Sequence, residues 1–376
     1  MGSGEAVDLR DEDGFDVLGA VRNVNAEIAR LLAGMDVTDQ AAVDGTLLTA
    51  DGTPDKSRLG GNAMIATSMA ALHTAAAAHA VPLWRYLAGD GPVSMPLPEI
   101  QIFGGGAHAA RRVDIQDFMI MCPVAKSFAQ ALDMTSAVYR AAGKLLADRG
   151  LLQGVADEGG YWPAFSSNAE ALDTLVAAIE AAGLIPGEDA VISLDVAASE
   201  FGSHGSYRLA RDGRTLDSDG LIELLGRWID RYPIVSVEDP CAEDDEDGFR
   251  RFTAAFGRRV QVVGDDLLVT DAQRIRAAGE RATCNAVLIK PNQVGTITET
   301  REAMIAARES KLATIVSARS GETEDITIVH LAVGWNAGQL KVGSFSRSER
   351  MAKWNEGLRI EEALGSGSLA RPLLRP

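Results

Sequence analysis

No stretch of this 376-residue chain is apolar for long enough to cross a bilayer, so no membrane partner is expected. Cysteine is scarce. Cys122, Cys241 and Cys284 are odd in number and far apart, with no CxxC spacing and no Cys/His cluster. That excludes a thiolate zinc site and a disulfide framework, and fits a reducing compartment. Met1 to Arg10 is small and acidic and lacks the charged-then-apolar order of a secretory signal, which makes the cytoplasm the expected location. Positive charge is also in deficit: 36 Lys and Arg against 53 Asp and Glu, a net charge of −17. Such a field repels phosphate backbones, so nucleic acid is not expected as a partner. Solubility accounts for most of the excess, and an acidic cleft that gathers cations is compatible with it. Internal repeats and low-complexity tracts are lacking as well.

What is present falls into two parts. Residues from about 16 to 90 read as helical. Val17 to Ala33 carries apolar residues at helical spacing, Asp51-Gly52-Thr53-Pro54 is a turn, and Asn62 to Ala80 is an alanine-rich helix closed by Val81-Pro82. Gly89-Asp90-Gly91-Pro92 then breaks the chain, placing a domain boundary between 1–92 and 93–376. Beyond it, short apolar runs (Ala190–Leu194, Ile234–Val237, Val260–Val263, Ala286–Ile289, Thr314–Val316) alternate with amphipathic stretches (Asn168–Ala182, Leu221–Tyr232, Ile297–Ser310). Strand–helix alternation over this length predicts an α/β domain with a parallel sheet closed into a barrel. The residues after Gly365 read as a tail.

Chemistry-bearing residues stand at the ends of these runs. Asp195, Glu238, Asp265, Lys290, Arg319 and Lys341 follow successive apolar segments at steps of 43, 27, 25, 29 and 22 residues. A (β/α)₈ barrel uses roughly 30 residues per unit and keeps its active site at the C-terminal strand ends. One charged residue at a strand end is ordinarily a solvated loop residue; six at barrel spacing point to a common rim. Three carboxylates converging there repel one another unless a hard cation sits between them, and oxygen-only ligands suit Mg²⁺. A lysine close to a metal and a second cation can serve as a base, and otherwise as an anchor for a carboxylate or phosphate. Lys290 and Lys341 are read as one of each. Arg319 and Ser320 open a glycine-containing loop suited to a phosphate. Asp157-Glu158-Gly159-Gly160 offers Glu158 as an acid, and Gly104-Gly105-Gly106-Ala107-His108 offers His108, which alone would be an ordinary core or surface histidine.

At this point the motifs resemble the enolase (phosphopyruvate hydratase) family. They are Ser236-Val237-Glu238-Asp239-Pro240, Val263-Gly264-Asp265-Asp266-Leu267, Leu288 to Thr296, Ser320-Gly321-Glu322-Thr323-Glu324-Asp325, Asp157 to Gly160 and Asp55 to Gly60, spread over about residues 5 to 364. The resemblance implies an enolase-type (β/α)₈ barrel behind a shortened, mainly helical N-terminal cap, and usually a homodimer. It implies Mg²⁺ on Asp195, Glu238 and Asp265, with Lys290 as the base that takes the proton beside the carboxylate of 2-phosphoglycerate. Glu158 would assist loss of the hydroxyl and Lys341 would neutralise the carboxylate. Arg319 and Ser320 would hold the phosphoryl group, and His108 and Gln116 would line the pocket of a small phosphorylated carboxylate.

Three departures from the family's pattern stand out. The chain opens close to Glu5, without the preceding small sheet and the mobile loop associated with a second Mg²⁺. Ala318 stands where the family has histidine. Asp117 stands where it has glutamate. These suggest a specialised paralogue, with a carboxyphosphonoenolpyruvate synthase-like enzyme of phosphonate biosynthesis and an inactive homologue with a binding role as the alternatives.

Overall fold

The strands form where short, largely apolar runs are bracketed by turn residues: β1 Leu97–Gly104, β2 Asp117–Met121, β3 Val191–Asp195, β4 Ile234–Glu238, β5 Gln261–Gly264, β6 Ala286–Ile289, β7 Ala313–Ser317 and β8 Gln339–Gly343. In this computed structural model, which describes residues 2–12, 14–365 and 369–370 and omits the His108 side chain, they close into one barrel in the order β1-β8-β7-β6-β5-β4-β3-β2. Helices follow most strands. Most of them open on Asp, Ser or Thr caps, as at Ser127, Ser167 and Thr296, which accept from the N–H groups of Gln130, Glu170 and Glu299 at 3.0, 3.1 and 3.2 Å. Their apolar faces pack on the strands in one core cluster that runs through the barrel wall. Among the described residues no helix is long and apolar enough to cross a membrane.

One strand departs from the expected parallel sheet. β2 runs antiparallel to both β1 and β3, whereas the other neighbours are parallel. The reason is the connection. Residues 105–116 join β1 to β2 with only a short 3₁₀ turn at Gly106–Ala109, and without a crossover helix the second strand must run back. Two helices, Phe128–Asp148 and Asn168–Ala181, then carry the chain to β3. The start of β2, not its end, therefore reaches the barrel mouth, where Asp117 pairs in register with Asp195. The tail is also not wholly free: the N–H of Ala370 donates to the carbonyl of Met95 at 2.6 Å.

Before β1 lie the cap helices, principally Gln40–Asp51 and Gly61–Ala78, with their own cluster of Ile28, Leu47, Leu59, Ala63 and Met64. Of the stretch Val17–Ala33, Leu18–Asn23 and Ala29–Leu32 are α-helical, joined by a π-helical segment at Val24–Ile28. The cap is tied to the barrel by buried Asp44. Its carboxylate accepts from Ser68 Oγ at 2.6 Å, from Gln40 Nε2 at 3.1 Å, and from the N–H and Oγ1 of Thr298, on a barrel helix, at 2.9 and 2.6 Å. Removing it strands several buried donors at once. Asp44→Ala should therefore lower unfolding stability by about 2–3 kcal/mol, read from the urea midpoint at unchanged slope.

Candidate active site

The barrel interior is polar on two levels because inward side chains alternate along each strand. On the lower level Gln339 Nε2 donates to Glu99 Oε2 at 3.1 Å, Gln261 Nε2 donates to Gln339 Oε1 at 2.7 Å, and Ser193 Oγ bonds the other oxygen of Glu99. Two residues up β8, Lys341 enters the upper level. It lies within the strand, not after it. Its Nζ is 2.8 Å from Asp195 Oδ2, 2.8 Å from Glu238 Oε2 and 3.7 Å from Asp117 Oδ2. Asp195 and Glu238 close β3 and β4 and are paired in register, so both carboxylates meet the same ammonium. Gln116 Nε2 adds a hydrogen bond to Asp195 Oδ2 at 3.0 Å.

Asp265 follows β5 directly and Lys290 follows β6, and their side chains form a second, close ion pair. Gln293 Nε2 donates to the other Asp265 oxygen at 2.9 Å. Arg319 follows β7; its guanidinium lies 2.8 Å from Glu5 Oε2. Arg350, fully buried, donates to the carbonyls of Arg319 at 2.7 Å and Ser320 at 2.6 Å, and so holds that loop from behind. Glu158 is set against the end of β8 through its carbonyl, which accepts from the N–H of Ser344 at 2.8 Å. Gly343 permits this approach: it has φ +104°, and a Cβ there would sit 2.5 Å from the Glu158 carbonyl oxygen. Of the sequence-predicted residues, the structure brings together two ion-paired groups, Lys341 with Asp117, Asp195 and Glu238, and Lys290 with Asp265. Gln116 and Glu158 border the first, and Arg319 and Ser320 are reached through Glu5 and Arg350. The His108 side chain lies outside the described residues.

Electrostatics follow from that crowding. Burial drives Glu238 well above the usual carboxylate range, helped by Asp195 and opposed by Lys341. Burial and then Glu158 do the same to Asp117. Lys341 is nonetheless held as an ammonium far above its ordinary value, since Asp195 and Glu238 together outweigh its own burial. One cation faces three acids, and Glu238 and Asp117 are the two driven toward their protonated forms. At the second pair, the Lys290 ammonium more than offsets burial and keeps Asp265 below the usual range. Lys290 itself is raised: burial pulls it down, and Asp265 and Glu238 outweigh that.

The donor set fits a hard divalent cation. Asp195, Glu238 and Asp265 present only oxygen, and among the described residues neither the buried Glu238 Oε1 nor the buried Asp117 Oδ2 has a hydrogen-bond partner. Among the described residues, three acids come within 4.8 Å of one another at Asp239, Asp265 and Asp266, whereas Asp195, Glu238 and Asp265 stand farther apart, with Lys341 and Lys290 bound to them. Asp239, however, accepts the N–H groups of Asp265 and Asp266 at 3.0 and 2.9 Å, so its oxygens are engaged in shaping that turn. The orphaned oxygen of Glu238 favours the first set.

Several contributors were not singled out from the sequence. Gln101 bonds Asp117 and accepts the N–H of Gly160 at 2.7 Å, while Glu5, Gln293 and Arg350 brace the rim. Asp239 and Gln293 lie inside recognised motifs. Glu5 and Arg350 sit in polar stretches where nothing local marks a buried charge.

Lys341→Met should leave the buried acids without their cation and cost about 3–5 kcal/mol in chelator-treated protein, part of it recovered on adding a divalent cation. Carboxyls whose folded pKa lies above the unfolded value take up protons on folding. The variant's deficit should therefore shrink as pH falls from 8 toward 5. Urea midpoints at both pH values, with and without cation, check this.

Comparison with known proteins agrees with this architecture. A family model described as "Enolase, N-terminal domain" matches residues 1–87, and one described as "Enolase, C-terminal TIM barrel domain" matches residues 92–371. The protein named Enolase 1 from Desulfitobacterium hafniense (strain Y51) is 50% identical over 371 residues, covering 97% of this chain and 85% of that relative. These matches favour neither the phosphonate-pathway alternative nor the inactive homologue, and the family implies a divalent metal cofactor. With both halves matched and the barrel closed around its acidic mouth, the chain belongs to the enolase family and is an enolase-type lyase.

Proposed function

We propose that this enzyme interconverts 2-phosphoglycerate and phosphoenolpyruvate using Mg²⁺ held by Asp195, Glu238 and Asp265. The observation that carries this is the pair of lysines: Lys290 and Lys341 come from β6 and β8 and each ends on carboxylates at the barrel mouth, one on Asp265, the other on Asp195 and Glu238. A proton beside a carboxylate is a very weak acid, and its removal builds negative charge that needs positive charge close by. When bound, the cation would supply part of that charge.

Lys290 is the proposed base, accepting the α-proton at Nζ. Its close pair with Asp265 stabilises the ammonium, so release of that pair is the condition for its work. Enolase-superfamily sites with a Lys or His base and Mg²⁺ are a worked case of this logic. Lys341, fixed in the barrel, would neutralise the substrate carboxylate. Arg319 and Ser320 would take the phosphoryl group, and Glu158 would assist departure of the hydroxyl. Lys290→Ala should abolish exchange of the α-proton, by at least about 10²-fold, while keeping the fold. Proton NMR in D₂O with 2-phosphoglycerate and Mg²⁺ tests it, and exchange that persists would move the role to another residue.

The leaving-group side is the altered one. Ala318 sits beside the site, its N–H on the carbonyl of Lys341 at 2.9 Å, and supplies no imidazole. Asp117 is fully buried on Gln101 and Lys341. General acid assistance is worth about 10²–10⁴ in rate and requires reach. The α-proton of 2-phosphoglycerate should therefore exchange faster than water is lost. Ala318→His with Asp117→Glu should raise dehydration by about tenfold or more, measured as phosphoenolpyruvate formed on the same sample as the exchange; equal rates in the parent enzyme would refute this.

A further inference from the structure

Glu5 belongs to none of the roles above, yet it reaches the site. Its side chain is 6% exposed, and its Oε2 is the carboxylate oxygen paired with the Arg319 guanidinium, at 2.8 Å. Its other oxygen accepts from Gln293 Nε2 at 3.4 Å. The segment that carries it is seated on the barrel and the cap. The N–H of Ala6 donates to the Gln293 carbonyl at 2.7 Å, that of Val7 to the Asp55 carbonyl at 2.8 Å, and that of Gly61 to the Val7 carbonyl at 2.8 Å. Gln293 lies in the turn after Lys290, donates to Asp265 at 2.9 Å, and accepts from Thr270 Oγ1 at 2.5 Å. The Arg319 backbone is separately clamped, its N–H on Glu322 Oε1 at 3.0 Å and its carbonyl on Arg350. Only the long side chain needs a further restraint, and among the described residues Glu5 is the carboxylate that provides one.

We propose that Glu5 is a positioning residue for phosphoryl recognition: it fixes one edge of the Arg319 guanidinium, leaves the remaining N–H donors for the phosphoryl oxygens, and through Gln293 keys that anchor to the Asp265 side of the site. An unrestrained arginine surrenders rotamer freedom when it engages a ligand. An arginine already held by a charge-assisted bond surrenders less, which shows as affinity. A carboxylate also repels a dianion. A purely electrostatic Glu5 would weaken binding, and its removal would tighten it. The two roles have opposite signs.

The proposal rests on Arg319 being the phosphoryl anchor, and the experiment separates the two ideas. Steady-state kinetics of the full chain with 2-phosphoglycerate and Mg²⁺ are compared for Glu5→Ala, Glu5→Gln, Glu5→Asp, Arg319→Gln and the double variant Glu5→Ala/Arg319→Gln. The inhibition constant of inorganic phosphate is the second readout. Glu5→Ala should raise KM about tenfold with kcat within about threefold, and phosphate should bind correspondingly more weakly. Glu5→Gln keeps an acceptor at the same reach and should restore most of the loss. Glu5→Asp keeps the charge but not the reach, and should resemble Glu5→Ala. Arg319→Gln should raise KM, and Glu5→Ala should add nothing in that background. An unchanged or lowered KM in Glu5→Ala, no rescue in Glu5→Gln, or additivity in the double variant overturns the proposal. If Arg319→Gln leaves KM unchanged, the anchor assignment falls and the proposal with it. If Glu5→Ala does not fold, the contrast between Glu5→Gln and Glu5→Asp decides alone.

Discussion

Everything at the mouth of this barrel depends on placing one ammonium among like charges. Asp117, Asp195 and Glu238 are buried and close, and would repel one another or lose their charge without Lys341 between them. Isolated buried charges cost several kcal/mol each, so the arrangement persists only because the cation is shared and other donors satisfy the remaining oxygens. The same crowding that makes the site costly leaves its acids short of positive charge. Among the described residues Glu238 keeps an unpartnered oxygen, and Lys341 and Lys290 already supply two positive charges to these acids.

The surrounding fold can be understood as support for those acids. The short β1–β2 connection forces β2 to run backwards, which brings Asp117 to the mouth and opposite Asp195. Asp239 shapes the Asp265–Asp266 turn through two backbone N–H groups. Arg350 and Lys353, from the last helix, hold the loop after β7 by its carbonyls, with Lys353 Nζ 2.8 Å from the carbonyl of Thr323. Side chains that touch no reacting group fix the directions of those that would, and supporting shells of this kind set how well a site is preorganised.

Much of the barrel was open to inspection in the sequence. Strands β3 to β7 lie within a residue or two of the apolar runs, because a strand covered on both faces must be apolar nearly throughout. The strand-end residues Asp195, Glu238, Asp265, Lys290 and Arg319 were visible for a related reason: a charge directly after such a run has only the rim to occupy. β2 was not visible as a reversed strand. Its direction is set by what the connecting residues do in three dimensions, and Asp117, at its start, escapes any rule about strand ends.

The chain's own letters therefore determined the class of fold and the chemistry on offer: oxygen donors, two lysines, an arginine loop. That information is local, carried by periodicity, caps and short motifs. The tertiary structure alone decided which charges meet. Lys341 and Asp195 are 146 residues apart and Arg319 and Glu5 more than twice that, and no local pattern encodes such pairings. They arise from closure of the barrel and from the docking of the first residues against it, because a buried charge takes its energy from whatever the fold brings within a few ångströms.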